Sequence, residues 1–412
     1  SNNRPSAPSG LPPSISPNVA IRLWSRRKRP SSPGDDGSSG GGTGGHVYPA
    51  LTVLDMLLRA GHPAEGLSSL TLGDVLWIGS RGGMEEELVR RAGIDFVGLP
   101  AGGLRGMGPL LKARNTLLIL RSVGRARKLL ASFRPEVVFV TGGYACTAVT
   151  LAAWLERIPV VIYLPDVVPG QAIRFLSRFA ARILATSEAS VRFFRRDKVV
   201  ITGYPVRPEI YTLDKGQARQ ELDLEAETKT LLVFGGSRGA RSINRALIAG
   251  LRELLPVCQV VHVTGRLDTD WVAGATRGLP GELLERYHSY AYMHDMPRAL
   301  VAADLAVARA GAATLGEFPA AGLPAFLVPY PYSGQHQMPN AEHLAQSGAA
   351  RILADEALDR ELVPAVLRLI QDEQALTLMR QAARAMARPD AAQAIARQLW
   401  LAAQQRRTKA KP

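Results

Sequence analysis

Short apolar runs rich in β-branched residues alternate along the chain with longer segments whose apolar positions recur at helical spacing. Strands that alternate with helices in this way indicate parallel sheets covered by helices. In the first half, the pattern predicts strands at 74–80, 136–143, 159–165, 181–187 and 198–205, and helices near 48–60, 84–92, 115–131, 146–156 and 171–180.

The same alternation starts again after a polar, strand-poor segment at 207–228. Residues 229–251 have the pattern of a strand, a glycine turn and a helix, and further strands are predicted at 258–265, 288–293, 305–309 and 324–329. We therefore predict an α/β protein with two Rossmann-like, doubly wound domains that face a central cleft. The predicted divisions are a disordered basic tail at 1–40, domains at 41–206 and 207–385, and a helix with a basic tail at 386–412.

The composition is that of a globular protein that spans no membrane. The chain has 412 residues, too many for one ordinary core, and 46% of them are hydrophobic. No apolar run approaches the roughly 18 residues of a membrane span, and residues 1–40 contain no secretory signal. The two cysteines, Cys146 and Cys258, lie far apart in apolar surroundings, which favours reduced thiols in the cytosol.

The positive charge is concentrated in a few segments. The net charge is +14, and residues 1–40 carry six basic and two acidic side chains. The segment 102–134 has eight basic residues and no acidic one, interleaved with Leu, Ile and Met. This combination favours an anionic membrane surface over nucleic acid, for which the chain has no recognisable binding motif. The expected contacts are Arg105, Met107, Leu110 and Leu111.

Two glycine-rich turns precede helices at matching places in the two halves, at 41–46 and 235–240. Glycine allows positive φ and close backbone approach, and a helix start directs free N–H groups toward an anion. The first turn does not have the spacing of a dinucleotide fingerprint. Either turn alone is as readily explained as a tight turn with nothing bound, but the matched pair favours a phosphate in the cleft.

A third segment, 308–341, places a small-residue turn before a helix that carries Glu317. A strand and a polar loop with Gln335, His336, Gln337 and Asn340 follow. A carboxylate near a helix start is often only a favourable partner of the helix dipole. Together with the side-chain amides, it suits the hydroxyl groups of a sugar.

The ordered motifs GGTGGHVYPAL, TGGY, GYPVR, GGSRGARSIN, HDM and GAATLGEFPAAGLPAFLVP span residues 41 to about 353. In this order they resemble the MurG family, the lipid I N-acetylglucosaminyltransferases of peptidoglycan synthesis, which have the GT-B fold. The resemblance implies metal-independent, inverting transfer from UDP-N-acetylglucosamine to undecaprenyl-linked lipid I, giving lipid II. It also implies a peripheral protein on the cytoplasmic face of the membrane, with the acceptor on the first domain and the UDP-sugar on the second.

The resemblance also implies roles for individual residues. His46 is the candidate general base, although orienting the turn or contacting the acceptor phosphate is an equally good explanation of it. Arg207 and Ser237 would hold the diphosphate, the backbone of Met293 the uracil, Glu317 the ribose and Gln337 the sugar ring. The implied donor-binding residues are Thr43, Gly44, Gly45, Asp166, Arg207, Ser237, Arg238, Gly239, Met293, Ala312, Ala313, Thr314, Leu315, Gly316, Glu317 and Gln337.

The chain departs from the family pattern in three places. Where the family has His-Glu-Gln-Asn, this chain has Tyr163 to Asp166, so a carboxylate replaces a neutral amide near the donor. His336 stands where a second Gln is common. The family's first strand runs directly into GGTGGH, whereas here the only strand-like piece upstream is 19–24. Either that piece fills the first strand position across an inserted loop, or the strand is absent and the N-terminal region is not the native one. We expect the strand to be absent, because a central parallel strand should lead directly into its turn.

Other functions remain open at this point. Another lipid-acceptor transferase, such as a diacylglycerol glycosyltransferase, fits the same scaffold, and so does an inactive membrane-attached scaffold of wall synthesis. A sugar-nucleotide epimerase shares the architecture but not the motifs. Asp268 and Asp270 match the DxD pattern of metal-dependent transferases, but we interpret them as solvated loop residues and expect no metal.

Overall fold

The computed structural model describes residues 18–22, 47–59, 70–80, 85–100, 109–143, 145–236, 239–331 and 337–410. The strands in these ranges are β1 Asn18–Ile21, β2 Val75–Ser80, β3 Asp95–Leu99, β4 Val137–Val140, β5 Val160–Leu164, β6 Arg182–Ala185, β7 Val199–Ile201, β8 Thr230–Phe234, β9 Gln259–Val263, β10 Tyr287–Tyr290, β11 Leu305–Ala308, β12 Ala325–Leu327 and β13 Ala350–Ile352.

The helices lie between the strands and at the end of the chain. They are α1 Val47–Arg59, α2 Glu85–Arg91, α3 Pro109–Phe133, α4 Ala145–Leu155, α5 Gln171–Leu176, α6 Glu209–Thr212, α7 Lys215–Glu221, α8 Arg241–Leu254, α9 Thr269–Thr276, α10 Gly281–Leu284, α11 Met296–Ala302, α12 Thr314–Ala321, α13 Gln337–Gln346, α14 Leu358–Ile370, α15 Glu373–Met386 and α16 Ala391–Ala410.

Within the described ranges, the strands form two sheets, which confirms the predicted two-domain α/β fold. The first sheet has the order β3-β2-β1-β4-β5-β6-β7 and the second the order β10-β9-β8-β11-β12-β13. Every strand pair that does not include β1 is parallel. Both faces of each sheet are buried under helices, as the continuous apolar runs require.

The expectation that the first strand is absent is wrong. Residues 18–21 occupy the central position between β2 and β4, but they run antiparallel to both neighbours. Val19 and Ile21 pack into the apolar cluster on one face of the sheet, and Ala20 packs into the cluster on the other. Ile21 is followed by 25 residues before α1 begins. An antiparallel strand ends at the opposite edge of the sheet from the start of α1. The connection is long enough to span that distance, so β1 can fill the central position without leading directly into α1.

The edge strands β3 and β13 were missed by the sequence analysis. Each has exposed or half-buried positions, with Arg351 and Ile352 exposed in β13. Such short edge strands lack the continuous apolar run that marks the central ones.

The last helix, α16, returns to the first sheet and does not form a separate tail. Its buried residues Ile395 and Leu399 belong to the same apolar cluster as Val53 and Leu54 of α1. The segment 386–412 was predicted as a helix with a basic tail, and α16 extends to Ala410. No helix in the described part of the chain combines the length and apolar character needed to span a membrane.

Candidate functional site

The two domains meet where the segments that follow β5 and β7 of the first domain contact the second domain. Val167, Tyr204 and Val206 follow strands of the first sheet, yet they are buried in an apolar cluster of the second domain. The cleft between the domains therefore lies at the carboxyl ends of the strands, where a doubly wound fold binds its ligand.

The first glycine turn, with Thr43, Gly44, Gly45 and the candidate base His46, lies outside the described residues. The helix that it precedes begins at Val47, as predicted to within one residue. Tyr48 in its first turn is hydrogen-bonded to Tyr292 of the second domain. The start of α1 thus reaches across the cleft.

Arg207 lies at this same meeting point of the domains. The residue is half-buried, and its guanidinium carbon is 5.9 Å from the centre of the Tyr48 ring. A cavity of about 210 Å³ opens beside it, between α1, α2 and the segment that leads to α6. Arg207 is therefore a cation in the cleft, where the sequence analysis placed the diphosphate.

The second glycine turn is described except for Ser237 and Arg238. Gly236 has φ of 92° and Gly239 has φ of 79°, which favour glycine over other residues. A Cβ on Gly239 would also collide with the carbonyl oxygen of Thr264. The turn therefore needs glycine for its own geometry, and it ends where the free N–H groups of α8 begin.

A buried network fixes the loop after β9 against α8. Asn244 donates to the carbonyl of Thr264 and to Asp268 Oδ2, both at 2.8 Å. Its Oδ1 is 3.0 Å from His262 Nε2, and the other His262 nitrogen is 2.7 Å from the Tyr287 hydroxyl. Burial lowers the pKa of His262 to about 3, so the imidazole is neutral.

Asp268, the first acid of the DxD pattern, is not a solvated loop residue as expected. It is buried and engaged by Asn244 and by Arg241, whose Nε lies 3.2 Å from Asp268 Oδ1. Across the described ranges, no three His, Cys, Asp or Glu side chains are grouped so that they could hold a metal ion.

Glu317 lies in the first turn of α12, on the second-domain side of the cleft. Burial raises its pKa to about 7, although the charge of Arg207 acts in the opposite direction. The helix starts in a tight turn, in which Thr314 Oγ1 donates to the Gly311 carbonyl at 2.7 Å. Gly316 packs against the Tyr204 ring, where a Cβ would lie only 2.5 Å from Cδ1.

The other predicted positions of this domain are also close to the cleft. Met293 is buried and belongs to the same apolar cluster as Tyr204 and Ala312. Leu315 and Gly316 line a second interdomain cavity of about 320 Å³ together with Tyr204. Gln337 begins α13, and its Oε1 accepts a hydrogen bond from the backbone N–H of Tyr330 at 2.9 Å.

The segment that departs from the family pattern joins the two domains. Tyr163 is fully buried, and its hydroxyl is 2.9 Å from Thr186 Oγ1 and donates to the Gly203 carbonyl at 3.3 Å. Asp166 Oδ1 accepts a hydrogen bond of 2.8 Å from Asn340 of α13. The extra negative charge thus lies beside an amide donor from the opposite domain. The other departure near the sugar, His336, lies outside the described residues.

The predicted membrane contacts are only partly covered by the structure. Arg105 and Met107 lie outside the described residues, and the side chains of Leu110 and Leu111 do as well. Further along α3, the exposed residues Arg121, Arg125 and Lys128 line a surface cavity of about 560 Å³.

Sequence reasoning missed Tyr48, Tyr204 and Asn340 as parts of the site. Tyr48 and Tyr204 lie within motifs that were quoted, but an aromatic residue beside a glycine turn is more often a core residue. Asn340 was noted only as one of several loop amides. Its role depends on a contact with residues more than 170 positions away.

Comparison with known proteins agrees with this architecture. The chain matches the glycosyltransferase family 28 N-terminal domain over residues 38–185 and its C-terminal domain over residues 230–395. Acinetobacter baumannii MurG has a similar structure, with a TM-score of 0.66 and 26% identity over 87% of this chain and 97% of that one. Staphylococcus aureus MnaA, solved with UDP, has a TM-score of 0.59 and 14% identity over 84% of this chain and 92% of that one, so it shares the fold alone.

The fold and the two domain matches define a two-domain glycosyltransferase of family 28. Curated relatives show which family within this class the chain belongs to. A Roseiflexus sp. (strain RS-1) protein is 41% identical over 95% of this chain and 96% of its own, and a Desulforudis audaxviator (strain MP104C) protein is 40% identical over 87% and 95%. Both are UDP-N-acetylglucosamine–N-acetylmuramyl-(pentapeptide) pyrophosphoryl-undecaprenol N-acetylglucosamine transferases, and this chain belongs to that family, as the sequence motifs predicted.

Proposed function

We propose that this protein transfers N-acetylglucosamine from UDP-N-acetylglucosamine to the muramoyl 4-hydroxyl of undecaprenyl-linked lipid I, which gives lipid II. The observation that carries the proposal is the cleft, where Arg207 and Glu317 lie close enough for the arginine to influence the carboxyl pKa. A cation and a carboxylate together provide partners for a diphosphate and for ribose hydroxyls. Family membership supports the choice of donor and acceptor.

The donor would bind mainly to the second domain. Ionised Glu317 accepts hydrogen bonds from the ribose, and the backbone near Met293 faces the uracil. Gln337 and Asp166 lie on the sugar side of the cleft. The diphosphate lies between Arg207 and the start of α8, where Ser237, Arg238 and Gly239 lead into the helix.

The reaction would be a single displacement with inversion. The acceptor oxygen forms a bond to the anomeric carbon while the bond from that carbon to the diphosphate oxygen breaks, and the electron pair leaves with UDP. Arg207 and the α8 N–H groups stabilise the charge that develops on the leaving group. The hydroxyl proton passes to a base, for which His46 is the candidate because neutral imidazole titrates near working pH. Near-normal turnover of His46→Ala with saturating lipid I would exclude this role.

The acceptor assignment is tested by supplying UDP-N-acetylglucosamine with either lipid I or diacylglycerol in detergent. We expect transfer to lipid I only. Transfer to diacylglycerol would support the other lipid-acceptor class, and UDP binding without turnover on either acceptor would support an inactive scaffold.

The assay also tests whether a metal is needed. We expect full activity in EDTA, because Asp268 is already engaged by Asn244 and Arg241. Activity that is lost in EDTA and restored by manganese would contradict a metal-independent reaction.

The first domain would contact the cytoplasmic face of the membrane and present the acceptor. Arg121, Arg125 and Lys128 follow one another at helical spacing on the exposed side of α3. On the adjacent α4, Trp154 is 52% exposed, and Phe175 of α5 is 46% exposed. Exposed basic side chains and exposed aromatic rings on the same domain match an anionic bilayer surface, where rings lie at headgroup depth.

A further inference from the structure

Asn340 connects the two domains through its side-chain amide. Its Oδ1 accepts from the backbone N–H of Val167 at 3.0 Å. Its Nδ2 donates to Asp166 Oδ1 at 2.8 Å and to the Ala310 carbonyl at 3.2 Å. The side chain is completely buried, so these bonds are shielded from water.

The three partners lie at the carboxyl ends of strands from both sheets. Asp166 and Val167 follow β5 of the first sheet, and Ala310 follows β11 of the second. The Val167 carbonyl also accepts a hydrogen bond from the buried Ser190 hydroxyl at 2.8 Å. Val167, whose N–H binds Asn340, is thus also bonded to the first domain through its carbonyl, so the amide joins segments of both domains.

The chemistry of this position is specific to an amide. One oxygen accepts and one nitrogen donates twice, which matches the three partners. An aspartate at 340 would retain the bond from Val167 but lose both donors, and it would place a second carboxylate beside Asp166. Asn340 also belongs to the first turn of α13, the helix that begins with the proposed sugar-binding residue Gln337.

We propose that Asn340 is a positioning residue for the transfer reaction. It holds the Asp166–Val167 segment of the first domain against α13. These two segments, which lie beside the sugar, therefore keep a fixed position relative to each other when the domains are closed. This inference rests on the proposed transferase function and adds to it a residue that acts through its neighbours.

The test compares Asn340→Asp, Asp166→Asn and the double variant in kcat and KM for UDP-N-acetylglucosamine, with UDP affinity measured by calorimetry. Asn340→Asp should lower kcat/KM by about ten- to a hundredfold, because a buried bridge is broken. It should change UDP affinity by less than about twofold, since the nucleotide contacts lie in the second domain and on Arg207. Asp166→Asn alone should lower kcat/KM less, because the amide oxygen at position 166 can still accept the hydrogen bond from Asn340.

The double variant should recover part of the loss, because the amide introduced at position 166 can donate to the carboxylate introduced at position 340, while the bond to the Ala310 carbonyl stays lost. Gln346→Glu, at the exposed end of the same helix, is the control for the charge change. The inference is overturned if Asn340→Asp keeps normal kcat/KM, if it weakens UDP binding as much as it lowers kcat/KM, or if the double variant is no better than Asn340→Asp.

A second measurement separates this inference from the proposed function. Small-angle X-ray scattering with saturating UDP should show Asn340→Asp to be more extended than the wild type. If the wild type does not act on lipid I, the proposed function fails. The inference about Asn340 can then still be tested by scattering alone, and superimposable profiles of the wild type and Asn340→Asp would overturn it. If Asn340→Asp does not fold, Asp166→Ala takes its place in both measurements and should show the same changes at smaller size, because it removes one bond without adding charge.

Discussion

Individual residues of the cleft have properties that follow from their surroundings more than from their type. Glu317 is the clearest case, because a carboxyl group with a pKa of about 7 is half protonated at neutral pH. Burial favours the neutral form, and the nearby Arg207 only partly offsets this effect. A ligand that donates hydrogen bonds to this carboxyl group should favour its ionised form.

UDP affinity should therefore fall as the pH is lowered through about 7, because Glu317 becomes protonated and loses acceptor capacity. In Glu317→Gln, the affinity should be several-fold weaker at pH 8 and should vary little with pH. Calorimetric titrations between pH 5.5 and 8.5 measure this difference. Parallel pH profiles of the two proteins would contradict the role of Glu317.

The same raised pKa affects stability. The folded protein binds more protons at Glu317 than the unfolded chain does. The contribution of Glu317 to the free energy of unfolding therefore declines as the pH rises from the ordinary pKa of a glutamate to about 7. Glu317→Gln should thus melt a few degrees higher than the wild type at pH 8. The gain should vanish at pH values where the carboxyl is protonated in both states, as thermal unfolding at several pH values would show.

Gly316 is the second residue whose environment is restrictive. Gly316→Ala should lower the free energy of unfolding by about 1–3 kcal/mol, because the new Cβ overlaps the buried Tyr204 ring. Gly311→Ala, in the same turn, has nothing within 4 Å of the added atom and serves as the control. Equal melting temperatures for the two variants would show that the contact between Gly316 and Tyr204 is not tight.

At the scale of elements, the sequence predicted most of the fold because central strands and amphipathic helices have clear patterns. The strands at 74–80, 159–165 and 305–309 all agree with the structure within two residues at each end. The direction of β1 was not predictable, because Val19, Ala20 and Ile21 are apolar in either direction and pack on both faces. The site was predicted by motif, but contacts such as Asn340 with Asp166 depend on how two distant segments dock.

β1 should contribute strongly to stability despite its four residues. Ile21→Ala should lower the free energy of unfolding by about 2–4 kcal/mol, because the side chain is fully buried between β2 and β4. Leu72→Ala, at a position that is 41% exposed, should change it by much less. Denaturant unfolding measures both, and a neutral Ile21→Ala would mean that residues 18–21 do not fill the central position.

At the scale of the whole molecule, the basic face of α3 defines how the protein would meet its acceptor. Arg121→Glu/Arg125→Glu should weaken binding to phosphatidylglycerol vesicles by roughly tenfold or more at low salt, since each basic side chain near such a surface contributes about 1 kcal/mol. Arg351→Glu/Arg360→Glu changes the charge equally on exposed positions of the second domain and should have little effect. Equal losses for the two pairs, in vesicle sedimentation, would mean that only net charge matters.

The central claim is that a nucleotide diphosphate lies in the cleft between the domains, in contact with Arg207. The most direct test is calorimetric titration of UDP and of uridine into the wild type, Arg207→Met and the exposed control Arg252→Met. We expect Arg207→Met to weaken UDP binding by about tenfold or more, while its effect on uridine, which lacks the phosphates, stays within about twofold. Equal effects on UDP and uridine, or no effect on UDP, would contradict the account.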